Sequence, residues 1–160
     1  MKRYVVMLGF WLATLGLQAQ TTMSEVFKTM PDSIFPVLTK TNRLDLIDFL
    51  EAKMKAKVDN RLEGESEMTA LTDSSLTLRL SEALTVDMAL VPTVEAYDSC
   101  HQLVRMVYTY HLLSGKGQES LTRYFTLRWR PLQQVPHGLP LMDSSTILKQ
   151  DEEIMNKTLK

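Results

Sequence analysis

The chain has 160 residues, 44% hydrophobic and 23% charged, with six Gly, six Pro and one Cys. This composition can bury a core, and it excludes global disorder, collagen-like repeats, a disulfide-stapled scaffold and a multi-thiolate zinc site. Eighteen basic residues against nineteen acidic ones give a formal charge of −1, so no whole-molecule field draws in nucleic acid or an anionic membrane.

Met1-Lys2-Arg3 is followed by an uncharged apolar stretch from Tyr4 to Leu17 and then by Gln18-Ala19-Gln20. A basic start, a short apolar core and a small residue at the junction predict a secretory signal peptide over residues 1–19, cleaved after Ala19. The apolar run is short for a bilayer span, which needs about 20 residues. Cleavage leaves 16 basic residues against 19 acidic ones, a net charge of −3, and Trp129 as the one Trp of the mature chain. A periplasmic or secreted protein with no transmembrane span in its mature form is expected.

Residues 20–132 are expected to form a single domain. Ser24 is a candidate cap for a short helix that Pro31 stops. Leu44, Ile47, Leu50, Met54 and Val58 recur at helical spacing and predict a helix from about Thr41 to Lys57. Asp45 and Asp48 near its start and Lys53, Lys55 and Lys57 near its end complement the helix dipole.

The period then changes to two. Ser75–Ser81 and Leu84–Leu90 alternate with leucines on one face. Glu67–Thr72 is a weaker strand, Asp73-Ser74 a turn, and Pro92 the expected end of the third strand. Val104, Met106, Tyr108 and Tyr110 alternate with Arg105, Val107, Thr109 and His111. Leu121, Arg123, Phe125, Leu127 and Trp129 alternate with Thr122, Tyr124, Thr126, Arg128 and Arg130. The Ser114–Gln118 stretch reads as the hairpin loop between these two strands. Pro131, Pro136 and Pro140 punctuate an extended tether, and an amphipathic helix is expected near the C-terminus, so that 133–160 is a tether plus helix. Helices followed by clustered strands predict an α+β fold. Its N-terminal helices would pack on one face of an antiparallel sheet of about five strands, with the Pro-tethered helix at the C-terminus.

Chemistry-bearing motifs are sparse. No nucleophile elbow, phosphate loop, dinucleotide fingerprint or metalloprotease helix is present. Cys100 and His101 are neighbours, and on a strand their side chains point to opposite faces, so a nucleophile pair is disfavoured and a free thiol is expected. His101 and His111 lie roughly 33 Å apart on one strand at about 3.3 Å per residue, too far to share a metal. No catalytic residues, metal or cofactor are assigned. Asn156-Lys157-Thr158 fits a glycosylation sequon, which has meaning only in a eukaryotic secretory pathway.

The hairpin supplies the candidate binding surface. Matching the apolar faces of its strands places Tyr108 opposite Phe125, Met106 opposite Leu127 and Val104 opposite Trp129. Arg105 then faces Arg128, with Arg130 and Tyr124 on the same outer face. Opposed like charges are unfavourable, and an acidic protein, a carboxylated glycan or the acidic C-terminal helix would relieve them.

Three phrases resemble a known family: Met30-Pro31-Asp32-Ser33, Asn42-Arg43-Leu44-Asp45-Leu46-Ile47-Asp48-Phe49 and Leu76-Thr77-Leu78-Arg79-Leu80-Ser81. Together they are similar to small secreted Bacteroidales proteins of unknown function, over roughly Thr22 to Leu132. The resemblance implies a Gram-negative periplasmic or exported protein, supplies no active-site residues, and implies a further strand pair beyond Lys160. The helix-Pro-helix-meander order is also similar to β-lactamase-inhibitor-like domains. The reading is an exported, non-enzymatic envelope protein that binds a protein or glycan. The alternative is a small periplasmic hydrolase built from scattered residues such as Asp98, Cys100, His101 and His111.

Overall fold

The computed structural model describes residues 21–112, 117–134 and 139. The expected signal segment, most of the expected tether and the expected C-terminal helix lie outside the described residues. Two short helices, α1 (Met23–Lys28) and α2 (Lys40–Glu51), precede six strands: β1 (Ala56–Asp59), β2 (Glu65–Leu71), β3 (Ser75–Ser81), β4 (Leu84–Tyr97), β5 (Cys100–His111) and β6 (Gln118–Thr126). The strands pair antiparallel in chain order, β1-β2-β3-β4-β5-β6. This corrects the expected architecture: the sheet has six strands rather than about five.

The extra strand comes from the predicted long helix. Thr39 caps α2, its Oγ1 accepting from Asn42 N at 3.1 Å while its own N–H donates to Asn42 Oδ1 at 3.0 Å. The helix ends at Glu51, because Lys53 turns the chain with φ 56°, in the left-handed region. Ala56–Asp59 then pairs with β2, and Met54, assigned to the apolar stripe, is 57% exposed. Backbone pairing with a neighbouring strand overrides the apolar periodicity there. α1 is likewise capped one position before its helix, by Thr22 rather than Ser24, with Glu25 completing a capping box.

One sheet face carries the core. Leu76, Leu78, Leu80, Val86, Met88, Val104, Met106 and Phe125 are buried there with Met23, Val26, Phe27, Phe35, Leu46 and Ile47 of the helical layer. Arg43 is buried in that layer at 1% exposure. Its Nη1 donates to Asp32 Oδ1 at 2.8 Å and to the Leu38 carbonyl at 3.0 Å, and its Nη2 donates to the Met30 carbonyl at 2.5 Å. The guanidinium thus ties the irregular segment 30–38 to α2.

Two features extend the predicted strands. β4 continues through Pro92 to Tyr97, with a register irregularity between those two residues, where a missing N–H is tolerated. A two-residue turn, Asp98-Ser99, with φ 51° and 66°, then leads into β5. Both central residues in the left-handed region are what a tight hairpin matched to strand twist requires.

The β5–β6 register also differs from the expected one. Val104 faces Phe125, Met106 faces Arg123 and Tyr108 faces Leu121, a four-residue offset. An even offset keeps each side chain on its predicted face, which is why apolar alternation alone did not fix it. His111 pairs with Gln118, and Leu112 N donates to the Gly117 carbonyl at 3.1 Å. β6 ends at Thr126, and Trp129, with φ 64°, turns the chain back. Thr126 N donates to the Arg130 carbonyl at 3.0 Å and Leu132 N to the Tyr124 carbonyl at 2.9 Å, so 130–132 runs along part of β6.

Candidate functional site

The outer face does not gather the four residues expected there. Arg105 on β5 faces Tyr124 on β6 rather than Arg128. Arg105 is half-buried, and its Nε has no hydrogen-bond partner among the described residues. Arg128 lies past the end of β6 and is exposed. Arg130 pairs instead with Asp98, Nη1 to Oδ1 at 3.2 Å. The sheet therefore joins Arg105 to Tyr124 and draws Arg130 to the β4–β5 turn.

The scattered residues of the hydrolase reading are also spread out. Asp98 is in that turn, Cys100 opens β5 as a half-buried free thiol, and His101 is exposed beside it. His111 closes the same strand, with Nε2 3.2 Å from Thr85 Oγ1. Eleven residues of extended chain separate Cys100 from His111, roughly 36 Å. Among the described residues, no group of three or more His, Cys, Asp or Glu side chains comes together to hold a metal. No described helix is long and apolar enough to cross a membrane.

A cleft of about 510 Å³ lies where β6 forms the sheet edge. Ser33 and Ile34, then Tyr108 of β5 with Arg123, Tyr124 and Phe125 of β6, and the returning Gln133 and Gln134 line it. The Arg123 guanidinium carbon sits 5.8 Å from the centroid of the Tyr108 ring, within cation–π range. Burial holds the Tyr108 hydroxyl above the usual tyrosine range, with the Arg123 charge acting in the opposite direction. Phe35 meets the same ring edge-on at 6.2 Å and fixes it in place. The half-buried Tyr108 ring, a guanidinium and two amides provide apolar surface with donors around it, suited to holding a ligand by stacking and hydrogen bonds. Tyr124 is the one expected site residue that lines this cleft. Arg123 was legible as a charge interrupting an apolar series. That β6 is an edge strand was not legible, because edge position depends on sheet order.

A second cavity of about 560 Å³, between the β1–β2 loop and β3, is lined by Lys57, Glu65, Glu67 and Arg79. Its charges satisfy one another: Lys57 Nζ lies 2.5 Å from Glu65 Oε2, and Arg79 pairs with Glu67. The hydrogen bond and charge of Lys57 hold the Glu65 carboxyl below its usual range. Neutralised internally, this cavity offers a ligand less than the β6 cleft does.

The family model described as "Protein of unknown function (DUF3256)" matches residues 14–155. The chain belongs to that family. A solved structure described as a domain of an uncharacterized protein from Porphyromonas gingivalis W83 is similar over 82% of this chain and 68% of that one, with TM-score 0.55 and 23% identity. That likeness shows a shared fold. Comparison with curated proteins finds no match. The expected kinship with a Bacteroidales-like family of unknown function is thus shown, whereas a likeness to β-lactamase-inhibitor-like domains is not.

Proposed function

We propose that this DUF3256 protein is an exported, non-enzymatic envelope module that binds a protein or glycan partner through the cleft beside β6. The observation that carries the reading is the Tyr108–Arg123 cation–π pair lining a cavity of about 510 Å³. Arg123 presents donors to a carboxylate, and the half-buried Tyr108 ring and Ile34 offer apolar area that a sugar ring or an apolar side chain can cover. The basic-apolar-small pattern of residues 1–19 supports export and removal of that segment.

The test is a binding screen of the mature protein, beginning at Gln20, against carboxylated glycans and purified envelope proteins. A partner whose capture is lost in Tyr108→Ala and retained in Arg128→Ala supports the reading. Capture that is the same in wild type and Tyr108→Ala, or none at all, ends it. Recovery of the mature protein with residues 1–19 still attached would remove the export half.

A further inference from the structure

We infer that the open edge of β6 pairs with β6 of a second copy, antiparallel and centred on Leu121, forming a two-fold dimer with one continuous sheet. The inference stands on the strand edge rather than on the cleft's ligand, but it shares Arg123 with the cleft, so Glu119 of the second copy and a carboxylate ligand compete for one guanidinium.

β6 is last in the sheet order, and the returning segment 130–132 covers its edge at Tyr124 and Thr126. Those hydrogen bonds show which β6 residues aim their backbone groups away from β5. Antiparallel strands alternate, so Ser120 and Thr122 aim theirs the same way as Tyr124. Residues Gln118–Arg123 are all exposed, Leu121 at 42%, and no described strand pairs with their outer side. An exposed edge of this kind is a template for another strand.

The side chains determine which strand fits. Glu119, Leu121 and Arg123 share one face, that of Phe125. Among the described residues, neither Glu119 nor Arg123 has an ion-pair partner. When β6 meets its own copy about Leu121, Leu121 packs on Leu121 of the second copy, and Arg123 faces Glu119 of the second copy on both sides of the axis. Thr122 faces Ser120 of the second copy, and both aim their backbone groups across the seam, so the rungs form without a register conflict. The odd-numbered residues then occupy the non-hydrogen-bonded positions, where opposed side chains lie closest. Pairing stops at Tyr124, whose carbonyl already accepts from Leu132. Edge strands are commonly guarded by charges that repel a second copy, whereas here opposite charges four residues apart turn the guard into an attraction. The same pattern selects against most foreign strands, which lack an acid, an apolar residue and a base at matching alternate positions.

The experiment is sedimentation velocity on the mature full-length chain over a concentration series extending to its solubility limit. A reversible monomer–dimer equilibrium is expected. Glu119→Arg and Arg123→Glu each oppose like charges twice per interface and should each weaken the dimer about tenfold or more. An equimolar mixture of the two variants should recover association as a heterodimer, and Glu119→Arg/Arg123→Glu in one chain should recover the homodimer. All these positions are exposed, and circular dichroism checks that each variant stays folded. A protein that is monomeric at every concentration overturns the inference. So does a dimer unaffected by either single change, or one that the double change fails to restore.

Discussion

The indole Nε1 of Trp129 donates to the Val26 carbonyl at 3.0 Å, joining residues 103 apart in sequence. The same ring lies 5.8 Å from Phe125 and is 5% exposed. α1 and the chain that follows β6 are thereby closed on one another. The left-handed backbone at Trp129 costs about 1–2 kcal/mol for a non-glycine residue, and the buried ring offsets it.

Trp129→Ala should therefore destabilise the fold by about 3–5 kcal/mol. Trp129→Phe keeps much of the ring but loses the N–H, and should cost less, by about 1 kcal/mol for the hydrogen bond plus the lost area. Denaturant unfolding of the three proteins gives the order. A Trp129→Ala protein as stable as wild type would show that the ring does not close the core.

Arg43 gives the second prediction. Its carbonyl partners, Met30 and Leu38, sit on a segment without regular structure, so removing the guanidinium leaves buried acceptors unpaired. Arg43→Met should cost about 2–5 kcal/mol despite similar volume, from two buried carbonyls losing their donors. Arg43→Lys should fail to rescue most of it, since one ammonium cannot reproduce the fork toward Asp32, Leu38 and Met30. Hydrogen exchange should report the loss first in residues 30–38. Uniform exchange across the sheet with the loop unaffected would contradict this placement.

The same contact explains part of what the sequence carried. Met30-Pro31-Asp32-Ser33 and Asn42-Arg43 were legible as family phrases, and Arg43 holds the two phrases together. The leucines of β3 and the core faces of β4, β5 and β6 followed from alternation, since a buried face permits one parity. Alternation repeats every two residues, however, so the four-residue β5–β6 offset was invisible to it. The Arg105–Arg128 pairing expected from the wrong register went with that offset. β1 was hidden because Met54 and Val58 continue a helical spacing that the left-handed turn at Lys53 interrupts. The cleft needed the sheet order and the return of 130–132, both of which are tertiary.

The last prediction concerns pH and Tyr108. Burial raises its hydroxyl above the ordinary tyrosine value near 10, and the Arg123 charge partly counters that rise. The neutral phenol is thus favoured in the folded state. The stability linked to this group is fully present below the unfolded tyrosine value and is lost as pH rises through the folded one. Raising pH above about 10 should therefore destabilise wild type more than Tyr108→Phe, which has no proton to lose at that site. Ultraviolet difference titration of the two proteins isolates the Tyr108 transition, expected at higher pH than for a free phenol. Arg123→Ala should move that transition higher still, because it removes the one contribution that favours the phenolate. A downward move in Arg123→Ala would mean that the guanidinium does not act on the ring across the 5.8 Å seen in the structure.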